Sequence, residues 1–337
     1  MERKIKIAVD AMGGDNSPNK VINGILENYK ENKNIVYNIF GDKEKIKILL
    51  PKNYDDQVFN IFNTTNKILD TDSPLSAAKK GKDTSMWLTI QSVKNNESDV
   101  AISAGNTGAL FVISKLNLKM IENIDKPALS ALWPNKNNFN VVLDLGANIE
   151  CSDKNLVDFS IMGSSLFKSL YPNDEPVVAL LNVGSEELKG NDIIKKAYQD
   201  LYNKKNKNFI FNGYVEGNNI MDGKVNVIVT DGFTGNIALK TAEGTANFIV
   251  NEFKQSMTSN IIGKFSSLIN IKNLNKVKKK LDPRLYNGAI LIGLNSPVVK
   301  SHGSTDYIGF SHSLNVCIKI VKNNLIQKIK DNILDEN

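Results

Sequence analysis

Short apolar runs recur along the chain with helical stretches between them. Ile5–Val9, Val36–Phe40, Asp99–Ser103, Val141–Leu143, Val177–Leu181, Val225–Val229 and Ala289–Leu294 read as strands. Most are continuous Val, Ile, Leu or Ala runs, which suits strands buried on both faces of a parallel sheet. Helical patterns occupy Pro18–Lys30, Thr84–Val93, Thr107–Leu118, Lys154–Leu170, Asp192–Asn203, Gly235–Gln255 and Thr305–Lys330. The alternation predicts an α/β fold, a mostly parallel sheet sandwiched by helices and joined by right-handed crossovers. No internal repeat and no Pro/Ser-rich linker divides the chain, so residues 1–337 are expected to form a single domain.

One segment breaks this rhythm. Within Asn260–Leu281, Ile261, Phe265, Leu268 and Ile269 recur at i, i+4, i+7 and i+8, and Leu274, Val277 and Leu281 make a second stripe. Lysines fill the other faces, and Asp282-Pro283 ends the run. A protruding amphipathic helical hairpin is expected over 253–283. It fits two roles: packing on the core or a dimer partner, or lying on a membrane surface. In the second role each lysine near anionic headgroups contributes roughly 1 kcal/mol.

Composition narrows the classes. The chain has 337 residues and 41% hydrophobic content, enough for a large core. Its two cysteines, Cys151 and Cys317, lie far apart, which argues for a reducing compartment and against disulfides or a zinc site. His302 and His312 are the only histidines, too few for a His-rich metal centre. No secretory signal is visible, and no apolar run reaches the ~18 residues of a membrane span. A soluble, cytoplasmic protein is expected. The net charge of +6 is concentrated at Lys264, Lys272, Lys276 and Lys278–Lys280. Either a solvated helix face or an acidic partner (anionic lipid, nucleic acid or acidic protein) accounts for that.

The chemistry lies in the polar loop after each strand. These loops begin at Asp10 (with Gly13, Gly14 and Asp15), Ser103 (SAGNTG), Asp144 (DLGAN), Asn182 (NVGSEELKGN), Thr230 (TDGFTGN) and Ser301 (SHGSTD). In an open parallel sheet, ligands bind beyond the carboxyl ends of the strands. Glycine lets backbone N–H groups approach a ligand, and helix N-termini add unpaired donors and partial positive charge. Six such loops, expected at one edge, suit a small anion such as phosphate. No dinucleotide GxGxxG, P-loop or nucleophile-elbow motif is present.

The runs VDAMGGDNSP, SAGNTGAL, LDLGAN, LNVGSEELKGN, TDGFTGNIALKTAEG and LNSPVVKSHGSTD, in this order, resemble the bacterial phosphate acyltransferase family, PlsX. The resemblance covers nearly the whole chain; Thr230 and Lys126 stand where cysteine and arginine are frequent. It implies an isocitrate/isopropylmalate dehydrogenase-like fold shared with phosphotransacetylases. It implies transfer of a fatty acyl group from acyl carrier protein to inorganic phosphate, as an early step of phospholipid synthesis. The acyl phosphate would pass to a membrane glycerol-3-phosphate acyltransferase. A homodimer in peripheral membrane contact is implied, with Ile261, Ile262, Phe265, Leu268 and Ile269 as the inserting face and no nucleic-acid partner.

The residues suit that reaction. Phosphate is already a dianion near neutrality, with a pKa of about 6 by analogy with its esters, and a thiolate of pKa about 8.5 leaves readily. No metal, cofactor or covalent nucleophile is then needed, only positioning and oxyanion stabilisation. Lys189 is assigned as the charge partner of phosphate, and Asn106, Asn148 and Asn236 as side-chain donors. His302 is assigned to polarise the carbonyl or protonate the sulfur. Asp10, Asp144 and Asp231 are expected to orient neighbours, while Gly13, Gly14, Thr107, Gly232 and Gly235 bring backbone to the substrate. Two alternatives are a metal-dependent NAD-linked decarboxylating dehydrogenase and a non-catalytic membrane scaffold that binds acyl carrier protein.

Overall fold

The computed structural model describes residues 3–204, 207–260, 269–273 and 282–334. Eleven strands form one sheet: β1 (Ile5–Asp10), β2 (Ile35–Gly41), β3 (Phe59–Asn63), β4 (Val100–Ser103), β5 (Ala128–Pro134), β6 (Phe139–Leu143), β7 (Val177–Asn182), β8 (Ile210–Glu216), β9 (Val227–Val229), β10 (Ala289–Ile292) and β11 (Val298–Lys300). The helices that matter below are α1 (Asn19–Glu31), α2 (Lys43–Leu49), α3 (Pro74–Lys80), α4 (Ser85–Lys94), α5 (Thr107–Leu118), α6 (Asp153–Leu170), α7 (Asp192–Lys204), α8 (Gly232–Thr258), α9 (Tyr307–Lys322) and α10 (Leu325–Leu334).

The strand order is β3-β2-β1-β4-β11-β10-β5-β6-β9-β7-β8. The sheet is mostly parallel, as the apolar runs predict, but its middle is not. β10 runs antiparallel to both β11 and β5, and β5 runs antiparallel to β6. Three reversals leave β6, β9, β7 and β8 pointing opposite to β1, β4 and β11. The six polar loops therefore do not share one edge. Those after β1, β4 and β11 leave one edge; those after β6, β7 and β9 leave the other. Continuous apolar runs reveal burial, but they carry no information on strand direction.

Both faces of the sheet are buried. Ile7, Val9, Tyr37, Ile102, Val141, Val178 and Val299 face one layer of core; Ala8, Phe40, Ala101, Val142, Ala179, Ile228 and Val298 face the other. α6 is buried along almost its whole length. Its hydroxyls at Ser160, Ser165 and Ser169 are satisfied by carbonyls four residues back, so polar groups enter the core without loss.

Sequence pattern missed β3, β5 and β8, and helices α2 and α3. β8 is interrupted by Gly213, whose φ of +73° sits at a shift in register between Val178 and Leu180 of β7. The extra residue is a β-bulge, and it erases the apolar pattern. The helix expected over Thr305–Lys330 is two helices, because Asn324 adopts φ +52° after the Asn323 cap. The helix expected over Gly235–Gln255 extends in both directions as α8. Only its first turns cover core, through Ala238, Leu239 and Ala242. Beyond them Phe248, Ile249, Val250 and Phe253 are exposed. Of the apolar stripe, Ile269 is described and 69% exposed; Ile261, Ile262, Phe265, Leu268, Leu274, Val277 and Leu281 lie outside the described residues.

α1 carries the loop after β1 and packs on α9, which succeeds the loop after β11. Their close approach depends on Gly24, where a Cβ would lie 2.9 Å from both Phe310 Cδ1 and the Tyr307 carbonyl. Gly24→Val is expected to force the helices apart at about 1–3 kcal/mol. Thermal unfolding should show a loss of several degrees; an unchanged midpoint contradicts this packing.

Candidate active site

At the first edge, one buried carboxylate ties the loops after β1 and β4. Asp10, 1% exposed, accepts from Ser103 Oγ at 2.6 Å and from the Met12 N–H at 3.1 Å. Ser103 Oγ in turn accepts from the Gly105 N–H at 3.0 Å. Burial pushes the Asp10 pKa up, while hydrogen bonds from Ser103, Ser85, Met12 and Gly13 pull it back. Asp10 thus braces the loops. The loops after β1 and β4 touch at Gly13, where a Cβ would stand 2.6 Å from the Gly105 nitrogen, so only glycine fits. Gly14 has φ +79° and lies against the Ala104 carbonyl.

Asn106 caps α5, its Oδ1 accepting from the Ala109 N–H at 3.0 Å. Its amide donates to the carbonyls of Asp70 and Asp72 at 3.1 and 3.0 Å. Both ends of the side chain serve the fold, so its assignment as a substrate donor finds no free hydrogen. Thr107 is exposed at the first turn of α5. Together with Asp70, Gly105, Lys300, His302 and Gly303 these residues line an open cleft of about 370 Å³.

His302 stands at the mouth of this cleft. Its backbone N–H donates to Asn287 Oδ1 at 2.9 Å, and Asn287 Nδ2 donates to Ser301 Oγ at 2.9 Å. The ring Nδ1 accepts from the Ser304 N–H at 3.3 Å and lies 3.0 Å from Ser304 Oγ. A backbone N–H has no alternative role, so neutral His302 carries its proton on Nε2. Burial pushes its pKa below the ordinary 6.5, with Lys300 adding to the effect.

At the second edge the corresponding carboxylate is Asp144, fully buried. It accepts from the N–H groups of Leu129, Gly146, Ala147 and Asn148 at 2.7–3.2 Å and from Asn148 Nδ2 at 2.8 Å. Burial still pushes its pKa up against these donors. Asn148 gives its second amide hydrogen to the Pro127 carbonyl at 2.7 Å. Like Asn106, it organises loops and has no donor left for a ligand. Asp231 caps α8, accepting from Thr234 N–H and Oγ1, each at 2.8 Å. Gly232 donates its N–H to the Asn148 carbonyl at 2.8 Å, and Gly235 packs on the Asp144 carbonyl where no Cβ fits.

Asn236 is exposed beside Gly146, with no side-chain hydrogen bond among the described residues. Lys189 is also exposed, its stem against Gly184 and its carbonyl accepting from Asn182 Nδ2 at 3.1 Å. The structure therefore places Asp10, Gly13, Gly14, Asn106, Thr107 and His302 on one edge. Asp144, Asn148, Lys189, Asp231, Gly232, Gly235 and Asn236 sit on the other. α8 starts at the second edge and brings Lys240 and Glu243 within electrostatic range of His302.

Two further residues were not singled out by the sequence pattern. Lys20 and Lys300 are both buried at the first edge. Lys20 shares a helix face with Val21, Gly24, Ile25 and Asn28, all buried, which the 3.6-residue period makes readable. Lys300 ends an apolar strand directly before Ser301 and His302.

The fold is that of the phosphotransacylases. A phosphotransacetylase from Streptococcus pyogenes superposes with a TM-score of 0.65 at 16% identity, covering 96% of this chain and 95% of that one. A 4-hydroxythreonine-4-phosphate dehydrogenase from Klebsiella pneumoniae gives 0.53 at 10% identity, covering 95% of this chain and 100% of that one. Sequence comparison is more specific. Residues 5–328 match the model of a family described as fatty acid synthesis protein. A phosphate acyltransferase of Pelagibacter ubique is 69% identical, covering 99% of this chain and 100% of that protein. One from Paramagnetospirillum magneticum is 40% identical, covering 98% of this chain and 94% of that protein. The chain belongs to the phosphate acyltransferase family. The dehydrogenase and scaffold alternatives are not favoured.

The buried charges give two expected outcomes for stability. Asp144→Ala strands four backbone N–H groups and is expected to lose at least about 3 kcal/mol in urea unfolding; Asp144→Asn, keeping one oxygen, should lose less. Equal small losses contradict the loop-organising role. Lys300 is pushed down to about 8 by burial, with Lys20 adding to the effect. Between pH 8 and the ordinary 10.5 the unfolded chain binds this proton more tightly, so raising pH through that window stabilises the fold. A Lys300→Met variant should therefore hold its greatest relative advantage below pH 8 and lose it as pH approaches 10.5. A constant difference contradicts the assignment.

Proposed function

We propose that the chain transfers a fatty acyl group from an acyl-carrier-protein thioester to inorganic phosphate, giving an acyl phosphate for phospholipid synthesis. The reading rests on full-length kinship with phosphate acyltransferases at 69% identity. A phosphate oxygen attacks the thioester carbonyl, forming the C–O bond. The tetrahedral oxyanion then expels the thiolate as the C–S bond breaks.

The state of His302 decides between its two assigned roles. As a neutral ring with Nε2–H it is a hydrogen-bond donor to the oxyanion and a poor acid. The thiolate, with a pKa of about 8.5, leaves without needing that proton. Asn236 supplies a second donor and Lys189 a mobile positive charge from the other edge. Lys240 and Glu243 of α8 lie within electrostatic range of His302, and we take the cleft at His302 as the place where donor and acceptor meet.

We further infer that the exposed apolar residues Phe248, Ile249, Val250 and Phe253 of α8 are covered by a second copy, and that the segment beyond α8 touches the membrane. Among the described residues no helix is long and apolar enough to cross a membrane; the contact we infer is peripheral. Liposome flotation tests this: wild-type chain should float with anionic vesicles and Ile262→Asp should not. An Ile262→Asp variant that floats equally well defeats the membrane part.

The decisive assay mixes the protein, acyl-carrier-protein thioester and phosphate. Phosphate-dependent release of thiol with a hydroxylamine-reactive product is expected; no release contradicts the function. At a fixed concentration of phosphate dianion, kcat should stay level down to the ordinary histidine pKa of 6.5 and fall below it as His302 takes a proton on Nδ1, which can then no longer accept from the Ser304 N–H that orients the ring. That fall should disappear in His302→Gln, whose remaining rate is lower. An acid limb unchanged in His302→Gln removes the histidine from the reaction.

A further inference from the structure

Two cations are buried side by side beneath the first-edge cleft. Lys20 is 3% exposed and Lys300 8% exposed. Lys20 Nζ donates to the Gly303 carbonyl; Lys300 Nζ donates to the Ser301 carbonyl and, at 3.4 Å, to the Ala104 carbonyl. A Cβ on Gly14 would stand 2.6 Å from the Ala104 oxygen and 2.8 Å from Lys20 Nζ. Gly14 thus lies between the Ala104 carbonyl and Lys20 Nζ, and the two ammonium groups are close enough to repel.

Neither lysine makes an ion pair among the described residues. The neighbouring carboxylates offset them only in part: the exposed Asp15 and Asp70 act on Lys20, and Asp70 and Asp10 act on Lys300, but burial outweighs them at both lysines. His302 is neutral, and Lys240 and Glu243 of α8 offset each other. Carbonyl oxygens satisfy ammonium hydrogens but not the charge. Burying even one unpaired ammonium is costly, and two adjacent ones repel as well. The burial lowers the pKa of both lysines.

An anion relieves all of these costs at once. Facing the lysines, across a cleft of about 370 Å³, is the N-terminus of α5 with Gly105, Thr107 and Gly108. The first N–H groups of a helix have no partner inside it and favour negative charge. We propose that Lys20 and Lys300, opposed by the start of α5, form a subsite for a phosphate group. Two ammonium groups match the charge of an orthophosphate dianion. The proposal rests on the acyl-transfer reading and locates its acceptor, separately from the exposed Lys189. Lys20 acts from behind Gly303 as the second charge, so its loss weakens the subsite without removing a group from the cleft wall.

The test uses Lys20→Met and Lys300→Met, which keep length and remove charge. Wild-type protein should melt at a higher temperature in phosphate than in chloride of equal ionic strength. Each variant should melt no lower than wild type without phosphate, since an uncompensated buried charge is gone, and should lose the phosphate-induced rise. The KM for phosphate should increase at least about tenfold, with a smaller change in kcat, and Lys20→Arg should restore much of it. An increase confined to the KM of the acyl donor assigns the subsite to a phosphate group carried by that donor. If Lys300→Met does not fold, Lys20→Met decides alone. Both KM values and the phosphate-induced rise unchanged in Lys20→Met overturn the proposal. Absence of acyl phosphate from wild-type protein instead overturns the acyl-transfer reading, and the phosphate-induced melting shift still tests the subsite.

Discussion

Two buried carboxylates, Asp10 and Asp144, hold the loops after β1, β4 and β6 in shape at the candidate site. An isolated ionised carboxylate in a protein interior costs several kcal/mol. Each of these is offset by converging donors: hydroxyl and backbone groups around Asp10, five N–H bonds around Asp144. Ser103 ties the loop after β4 to Asp10, and the Leu129 N–H ties β5 to the loop of Asp144, so each carboxylate locks its own loop to a neighbouring element. Gly13 and Gly235 allow the resulting approach. Acids that in sequence look hostile to a phosphate are turned away from it.

With Asp10 and Asp144 facing inward, the surface left to a ligand is lined mainly by positive and neutral donors, with Asp70 the one carboxylate on the first cleft. Lys300, Lys20, the His302 Nε2–H and the start of α5 occupy one edge; Asn236, Lys189 and the start of α8 occupy the other. The reversal at β10 and β5 creates these two edges; α8 starts at the second, with its Lys240 and Glu243 in electrostatic range of His302 at the first. A reaction that joins two substrates, one of them anionic, fits a site built from two separate loop clusters. Neither cluster needs a strong base, because the phosphate nucleophile is ionised already.

Much of this is legible in the sequence. Strands β1, β2, β4, β6, β7 and β9, most of the long helices, and the loops at Asp10, Ser103, Asp144, Thr230 and Ser301 come from apolar runs ending in Gly, Asn and Asp. Strand direction is not legible, since burial on both faces looks the same in either direction. β8 is hidden by the bulge at Gly213, and the break between α9 and α10 by an ordinary-looking Asn-Asn pair. Asn106 and Asn148 read as ligand donors because sequence shows a donor but not what it already holds. Lys20 and Lys300 are passed over for the opposite reason. A lysine is taken for surface until its helix face or strand partners show it to be buried.

In the proposed reaction, phosphate attacks the acyl thioester directly within a preformed site. This step is tested most directly with phosphate labelled with 18O at every oxygen, and with mass analysis of the acyl phosphate and of the protein. Direct attack predicts a product that retains all the labelled oxygens, and a protein that carries no acyl group when phosphate is omitted. An acylated protein that forms without phosphate and discharges when phosphate is added would contradict direct attack.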